Sequence, residues 1–437
     1  MNQTARSIAL DALLQMEDNE GYSNLVLDKT LRSASLEPRD AALASTIFYG
    51  VLEKRILLDH YLMNCLTNPR KKLDGTVLMA LRCGAYQILF LDRVPDSAAV
   101  NETVNDLKSR GKGSYAGLVN GVLRTLSRKK GNISVPSGDS TEALSLRYSV
   151  PERLIRMWTA AYGKTVTEKL LVSFDELAET YIRINTLKTT PQALSERLKL
   201  EPFDFPAASA KLDFRGSPAG LPEFEDGLFH VQDLSAQLVC EIVAARPEEN
   251  ILDCCAAPGG KTFTLAQQMN GTGAVYAADL YKGRVKLIAA GAARLGIKNV
   301  HPLMADATES FNDLPLMDRV LCDVPCSGFG VIRRKPEIRY KNFSEIEKLP
   351  ALQYAILHNA SRQVRSGGRL VYATCTLNPK ENGEVVQRFL SENPDFMPLP
   401  IELPGIDRII EEPENEFTMM PFAGASDGFF AAAFIKK

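Results

Sequence analysis

The chain is short of the residues on which many enzymes and secreted scaffolds depend. It has 4 histidines, His60, His230, His301 and His358, none spaced as a metal motif. Histidine acid–base chemistry is poorly supplied, so nucleophilic chemistry falls to cysteine or carboxylate. The 8 cysteines, Cys65, Cys83, Cys240, Cys254, Cys255, Cys322, Cys326 and Cys375, form no CxxC pair. Neither a zinc framework nor a disulfide scaffold is indicated. No apolar run reaches about 18 residues, which argues against a membrane span. The start, Met1 to Arg6, leads into an amphipathic stretch with Asp11, Glu17 and Asp18 where a signal peptide would have its apolar core. The expected compartment is the cytoplasm. A net charge of −2 shows no overall excess of one sign.

What is present is ordinary globular composition, 45% hydrophobic and 24% charged. The length of 437 residues predicts roughly three domains. The near-neutral total hides an asymmetry. From Lys54 to Lys130 there are 14 Lys and Arg against 6 Asp and Glu, densest at Arg70-Lys71-Lys72 and Arg128-Lys129-Lys130. Such an excess is an electrostatic footprint for nucleic acid, although a solvated helical surface gives the same count.

Residues 1–130 read as an all-α domain. Ala9, Ala12, Leu13 and Met16 lie at helical spacing, as do Leu43, Ile47, Val51 and Leu52, then Leu78, Leu81, Ala85 and Leu89. Residues 131–145 are turn-rich and read as a linker. Residues 146–231 read as a small α+β module, with helices from Pro151 and Thr165 and an alternating strand at Tyr181-Ile182-Arg183-Ile184-Asn185. From residue 232 to 437 strands alternate with helices, with strands ending at Cys255, Asp279, Met304, Asp323 and Cys375. This predicts a doubly wound α/β domain whose ligands sit beyond the C-terminal strand ends.

The first strand–helix turn is Cys255-Ala256-Ala257-Pro258-Gly259-Gly260-Lys261-Thr262. Small residues admit a ligand close to the backbone, and the helix start offers free N–H groups. A P-loop would need glycine at Cys255, and a Gly-x-Gly-x-x-Gly fingerprint is absent. An S-adenosylmethionine loop remains. Asp279, ending the second strand, can accept from ribose hydroxyls, as it would for a nicotinamide cofactor. Asp306 follows the third strand and could accept from an adenine amino group, although such residues are usually turn caps.

The fourth and fifth strands end in Cys322-Asp323-Val324-Pro325-Cys326-Ser327-Gly328 and Ala373-Thr374-Cys375-Thr376. A single thiol there would be an ordinary buried cysteine, as Cys322 is expected to be. Two thiols beyond adjacent strand ends, beside Asp323 and a methyl-donor loop, fit one chemistry. C5 of cytosine is a poor nucleophile until a thiolate adds to C6. Asp323 is placed to assist at N3.

These motifs together resemble the bacterial RNA cytosine-C5 methyltransferases of the Fmu/Sun (RsmB) type, within the NOL1/NOP2/Sun family. Leu252 to Thr262, Asp323 to Gly328, Thr374-Cys375 followed by Glu381-Asn382, Arg183-Ile184-Asn185-Thr186, Val231-Gln232-Asp233 and Asp427-Gly428-Phe429-Phe430 carry the match. The resemblance implies that Cys375 is the nucleophile and Cys326 helps release product, an assignment that spacing does not distinguish from its reverse. It implies a donor site of Cys255, Ala256, Ala257, Pro258, Gly259, Gly260, Lys261, Asp279, Asp306 and Asp323, with Arg284 near it. It implies S-adenosyl-L-methionine as cofactor and 16S rRNA as substrate of a monomer that needs no metal or membrane. Phe422-Ala423-Gly424-Ala425-Ser426 departs from the family's usual Pro-His start, with an expected effect on packing or substrate contacts. The N-terminal helices resemble the antitermination factor NusB through Arg39-Asp40, Tyr86-Gln87-Ile88 and Ala116 to Arg124, which implies RNA binding. The middle segment resembles an RNA-recognition-like module whose Arg183 and Asn185 are candidate RNA contacts. A DNA cytosine methyltransferase would need a large insert after the fifth strand, and none is visible. A non-catalytic RNA-binding protein would be favoured by loss of Cys375 or the donor loop, and both are present.

Overall fold

A computed structural model describes the chain except residues 1–3, 19–21, 70–71, 215, 310 and 424–425. It divides into two compact units. The first comprises Met1–Asp175 with Arg334–Tyr340, and the second comprises Glu176–Arg333 with Lys341–Lys437.

The regular elements of the first unit are all helices among its described residues, as the periodicity predicts. Helices Ala5–Asp18, Pro38–Glu53, Gly75–Phe90 and Ala116–Lys129 bury Leu13, Ile47, Phe48, Leu81 and Leu123 in a common core. Their caps follow the sequence: Asp74 accepts from the Val77 N–H and so starts the helix after it. The helix Thr141–Tyr148 begins inside the stretch read as a linker, and it and the helix Glu152–Ser173, read with the middle module, both cluster with this unit. The helix Glu152–Ser173 is broken at Gly163, whose φ of 77° no helical residue adopts, so two helical stretches remain as the pattern predicts. The segment Arg334–Tyr340 also belongs here. Arg339, 1% exposed, donates to the carbonyls of Glu53 and Tyr148, and Glu337 accepts from the Ser23 N–H.

The second unit holds two sheets. The smaller is antiparallel, with strands β1 (Tyr181–Ile184), β2 (Leu200–Pro202), β3 (Ser209–Leu212) and β4 (Phe229–Val231) in the order β2-β3-β1-β4. Its core is Ile182, Ile184, Leu194, Ala210, Leu212 and Phe229. The larger contains β5 (Asn250–Asp253), β6 (Ala274–Asp279), β7 (Val300–Met304), β8 (Met317–Asp323), β9 (Val364–Thr374), β10 (Phe396–Pro398), β11 (Glu416–Met419) and β12 (Phe429–Lys436). Their order is β10-β12-β9-β8-β5-β6-β7, with β11 paired to β12. The pairs among β5 to β9 are parallel, as predicted, while β12 runs antiparallel to β9 and makes the sheet mixed. Alternate strand residues face opposite helix layers. Ile251, Leu321 and Val371 face one core, and Leu252, Cys322 and Tyr372 the other. The chain leaves β5 towards β6 on one side and towards β8 on the other, which opens a crevice at their C-terminal ends. No described helix is long and apolar enough to cross a membrane.

Candidate active site

The donor loop forms because Gly259 takes a φ of 113°, where a Cβ would lie 2.3 Å from the Phe263 ring. The Ala256 N–H donates to Ala278, binding the loop to β6, and the helix Gly260–Gln268 starts directly after it. Asp253 at the end of β5 is buried. One of its oxygens accepts from the Thr262 hydroxyl at 2.7 Å, and Oδ1 has no partner. Burial pushes its carboxyl up to about 7, against the Thr262 hydrogen bond.

Asp279 is 3% exposed and accepts from the Tyr281 N–H. Arg284 reaches its carboxylate at 3.4 Å and donates to the Ala257 carbonyl at 3.0 Å, so it joins the two halves of the expected donor site. Asp306 caps its own turn, accepting from the Thr308 N–H and hydroxyl, which hold it below the usual carboxylate range. Lys261 donates to Asp323 at 2.7 Å. Burial works against the Lys261 charge, but Asp323 and the nearby thiols Cys240 and Cys375 outweigh it and raise the ammonium above its ordinary value.

This donor set fits an adenosyl zwitterion. The first turn of Gly260–Gln268 offers unpaired N–H groups for a carboxylate, and Asp279 and Asp306 stand at successive strand ends as acceptors. Lys261 is paired with Asp323, and Cys255 stands where a P-loop needs glycine. Among the described residues no group of three or more His, Cys, Asp or Glu could hold a metal ion.

The thiols converge. Cys326 Sγ and Cys375 Sγ lie 3.3 Å apart. Their loops are held by backbone: the Val324 N–H donates to Ala373, the Gly330 N–H to Cys375, and the Gly428 N–H to Gly330. The hydrogen bond with Cys375, then burial, then the charges of Cys375, Glu381 and Asp323 push the Cys326 thiol well above its usual value. Cys322 is buried in β8.

Two expectations are corrected. Arg183 is 5% exposed, donates to the Ala207 carbonyl and stands 3.6 Å from Glu241. Asn185 is fully buried and donates to the Gly227 and Leu295 carbonyls at 2.8 Å. Both residues bind the small sheet to the rest of its unit and are closed to RNA. Polar residues at a strand end gave no sequence signal to separate these uses. Ser426, in the segment that departs from the family pattern, is buried and donates to Asp233, while Gly424 and Ala425 lie outside the described residues. The site feature not singled out by its chemistry is Glu381. It is 0% exposed and accepts from the Ser327 N–H and the Gln353 and Asn378 amides. The sequence signal available was its place six residues after Cys375 in the matched motif.

The profile of the 16S rRNA methyltransferase RsmB/F family matches residues 240–435, and that of the NusB family matches residues 3–128. A probable ribosomal RNA small subunit methyltransferase B of Bacillus subtilis is 37% identical over 99% of both chains. Ribosomal RNA small subunit methyltransferase B of Escherichia coli O157:H7 is 31% identical over 99% of this chain and 98% of its own. A crystal structure of a methyltransferase homolog protein from Pyrococcus horikoshii matches with a TM-score of 0.61 at 27% identity, covering 69% of this chain and all of that one.

Proposed function

The chain belongs to the ribosomal RNA small subunit methyltransferase B family, and from that premise we propose that it methylates C5 of a cytosine in 16S rRNA through a covalent adduct on Cys375. S-adenosylmethionine, when bound, supplies an electrophilic methyl group. The Cys375 thiolate adds to C6, and the C5–C6 electron pair moves to C5, which takes the methyl. Asp323 hydrogen-bonds or protonates N3 during the addition. Loss of the C5 proton and departure of the Cys375 sulfur restore the ring, with Cys326 assisting departure. The reaction belongs in the cytoplasm. The base must leave its stack to meet both thiols, so an unpaired cytosine reacts best.

The observation that carries this reading is the pair of thiols at 3.3 Å on adjacent parallel strand ends, flanked by Asp323. Methylation of an amine or a ribose oxygen has no use for it. The family motif assigns the attack to Cys375, and the 3.3 Å contact leaves Cys326 within reach to return a proton to the departing Cys375 sulfur.

The test is adduct trapping on a 16S rRNA fragment. Cys375→Ala should form no adduct and transfer no methyl. Cys326→Ala should methylate once and stall as a denaturant-resistant protein–RNA complex, seen as a slow gel band. Trapping by Cys375→Ala and none by Cys326→Ala would reverse the assignment, and no trapping by either would end the covalent reading. Bisulfite mapping of the product would locate the base.

A further inference from the structure

We infer that Glu381 is a positioning residue for both thiols: one buried carboxylate that fixes the Cys326 and Cys375 loops against each other. This rests on the covalent reading above and deepens it. Glu381 touches neither sulfur in a hydrogen bond. Its Oε2 accepts from the Ser327 N–H at 2.8 Å and from Gln353 Nε2 at 2.9 Å. Its Oε1 accepts from the Ser327 hydroxyl at 2.5 Å and from Asn378 Nδ2 at 2.8 Å. Ser327 follows Cys326, and the second hydrogen of the Gln353 amide serves the Pro325 carbonyl just before it, at 2.9 Å. Asn378 lies three residues after Cys375, and the Ser327 hydroxyl also meets the Thr376 hydroxyl at 2.6 Å. Both thiol loops therefore converge on one side chain that is 0% exposed.

The chemistry explains the residue type. All four groups donate to the carboxyl oxygens as placed, three of them from N–H groups that cannot accept. An amide in the same place would turn its own NH2 towards the Asn378 NH2 or towards the Ser327 and Gln353 N–H groups. Charged acceptors also make stronger bonds than neutral ones, and a buried carboxylate without them would be costly. No cation sits on Glu381 among its bonding partners, so its charge is held by four oriented dipoles. It contributes to the rise of the Cys326 thiol, after the Cys375 hydrogen bond and burial. The same group thus holds the two thiol loops at their mutual distance. Asn382 beside it anchors the other side of the Cys375 loop. It accepts from the Thr374 hydroxyl at 2.7 Å and donates to the Thr376 carbonyl at 3.0 Å.

The test uses the full chain with a 16S rRNA fragment. Glu381→Gln should lower kcat for methyl transfer by roughly 100-fold, the scale of a thiol displaced by about 1 Å. Calorimetric S-adenosylmethionine affinity should stay near wild type, while Tm falls by about a few degrees because the new NH2 faces a buried donor. In a Cys326→Ala background it should slow adduct formation by a similar factor. Adding Asn378→Asp to Glu381→Gln moves the carboxylate across the bond and meets the new NH2 with an acceptor, so kcat should recover to within about tenfold of wild type. Ser327→Ala removes one donor without touching the carboxylate and should lower kcat by about tenfold at unchanged cofactor affinity, which keeps the test open if Glu381→Gln does not fold. Wild-type kcat in either single variant would overturn the proposal. A loss of kcat that tracks Tm and cofactor affinity, without recovery in the double variant, would reduce Glu381 to a fold contact. If neither Cys326→Ala nor Cys375→Ala forms an adduct, the covalent reading fails first, and the Glu381 result is then read from kcat.

Discussion

Identical side chains behave differently here according to what surrounds them. Burial pushes the thiols of Cys83 and Cys240 up to about 12 and leaves them inert. Cys326 and Cys375 are only partly enclosed and face each other at 3.3 Å, which is the arrangement the proposed adduct chemistry uses. Asp253 shows the same dependence among carboxylates. Its carboxyl rises to about 7, first from burial, well above the value near 4 of the unfolded chain. The native state therefore holds a proton that the unfolded state releases between about pH 4 and pH 7. Its contribution to stability is fully present below pH 4 and falls through that window, by up to about 1.4 kcal/mol per pH unit for one proton. Asp253→Asn should flatten this slope in denaturant titrations from pH 5 to pH 8. An unchanged slope would mean that Asp253 is ionised in the folded protein.

At the scale of elements, the site depends on close approach of backbone. Gly330 donates to the Cys375 carbonyl and accepts from Gly428. A Cβ on Gly330 would lie 2.0 Å from the Gly428 oxygen and 2.9 Å from the Cys375 oxygen. Gly330→Ala must push the Cys326 loop away from the ends of β9 and β12. It should cost about 1–3 kcal/mol of stability and lower methyl transfer more than S-adenosylmethionine binding. Calorimetry beside initial rates separates the two effects. Equal activity would show that the loops relax independently of the thiols. Asn185 works on the same scale, since its two carbonyl partners tie the small sheet to the helix Lys282–Leu295.

At the scale of the molecule, the basic excess of residues 54–130 is smaller than its count. Lys54, Arg55, Arg82, Arg110, Lys112 and Lys130 are in ion pairs within the helical unit. Arg124, Arg128 and Lys129 are exposed near the end of the helix Ala116–Lys129 and have no ion-pair partner among the described residues. Replacing these three with alanine should weaken binding to rRNA fragments and reduce the slope of log affinity against log salt by about 2, at about 0.7 per phosphate contact on single strands. An unchanged slope would assign this face to another partner. Point substitution is cleaner than deleting residues 1–130, because deletion strips Arg339 of the Glu53 carbonyl and Glu337 of the Ser23 N–H.

The sequence by itself determined most of the elements and brought forward the groups proposed to react. Helical and strand periods are local, and short motifs at strand ends carry their chemistry with them. The donor loop, Asp279, Asp323 and the two thiols were therefore legible, together with the parallel strands that present them. Tertiary structure decided what depends on distance. It placed Cys326 and Cys375 at 3.3 Å, though they stand 49 residues apart. It added β12 antiparallel to β9, because an edge of the sheet is closed by whichever apolar strand returns to it. It sent the helices over 141–173 and the segment Arg334–Tyr340 to the helical unit. It also turned Arg183 and Asn185 inward and made Glu381 a shared acceptor. A polar residue carries no local sign of whether its partner will be water, RNA or a distant backbone group, since only packing chooses which of these is left within hydrogen-bond reach.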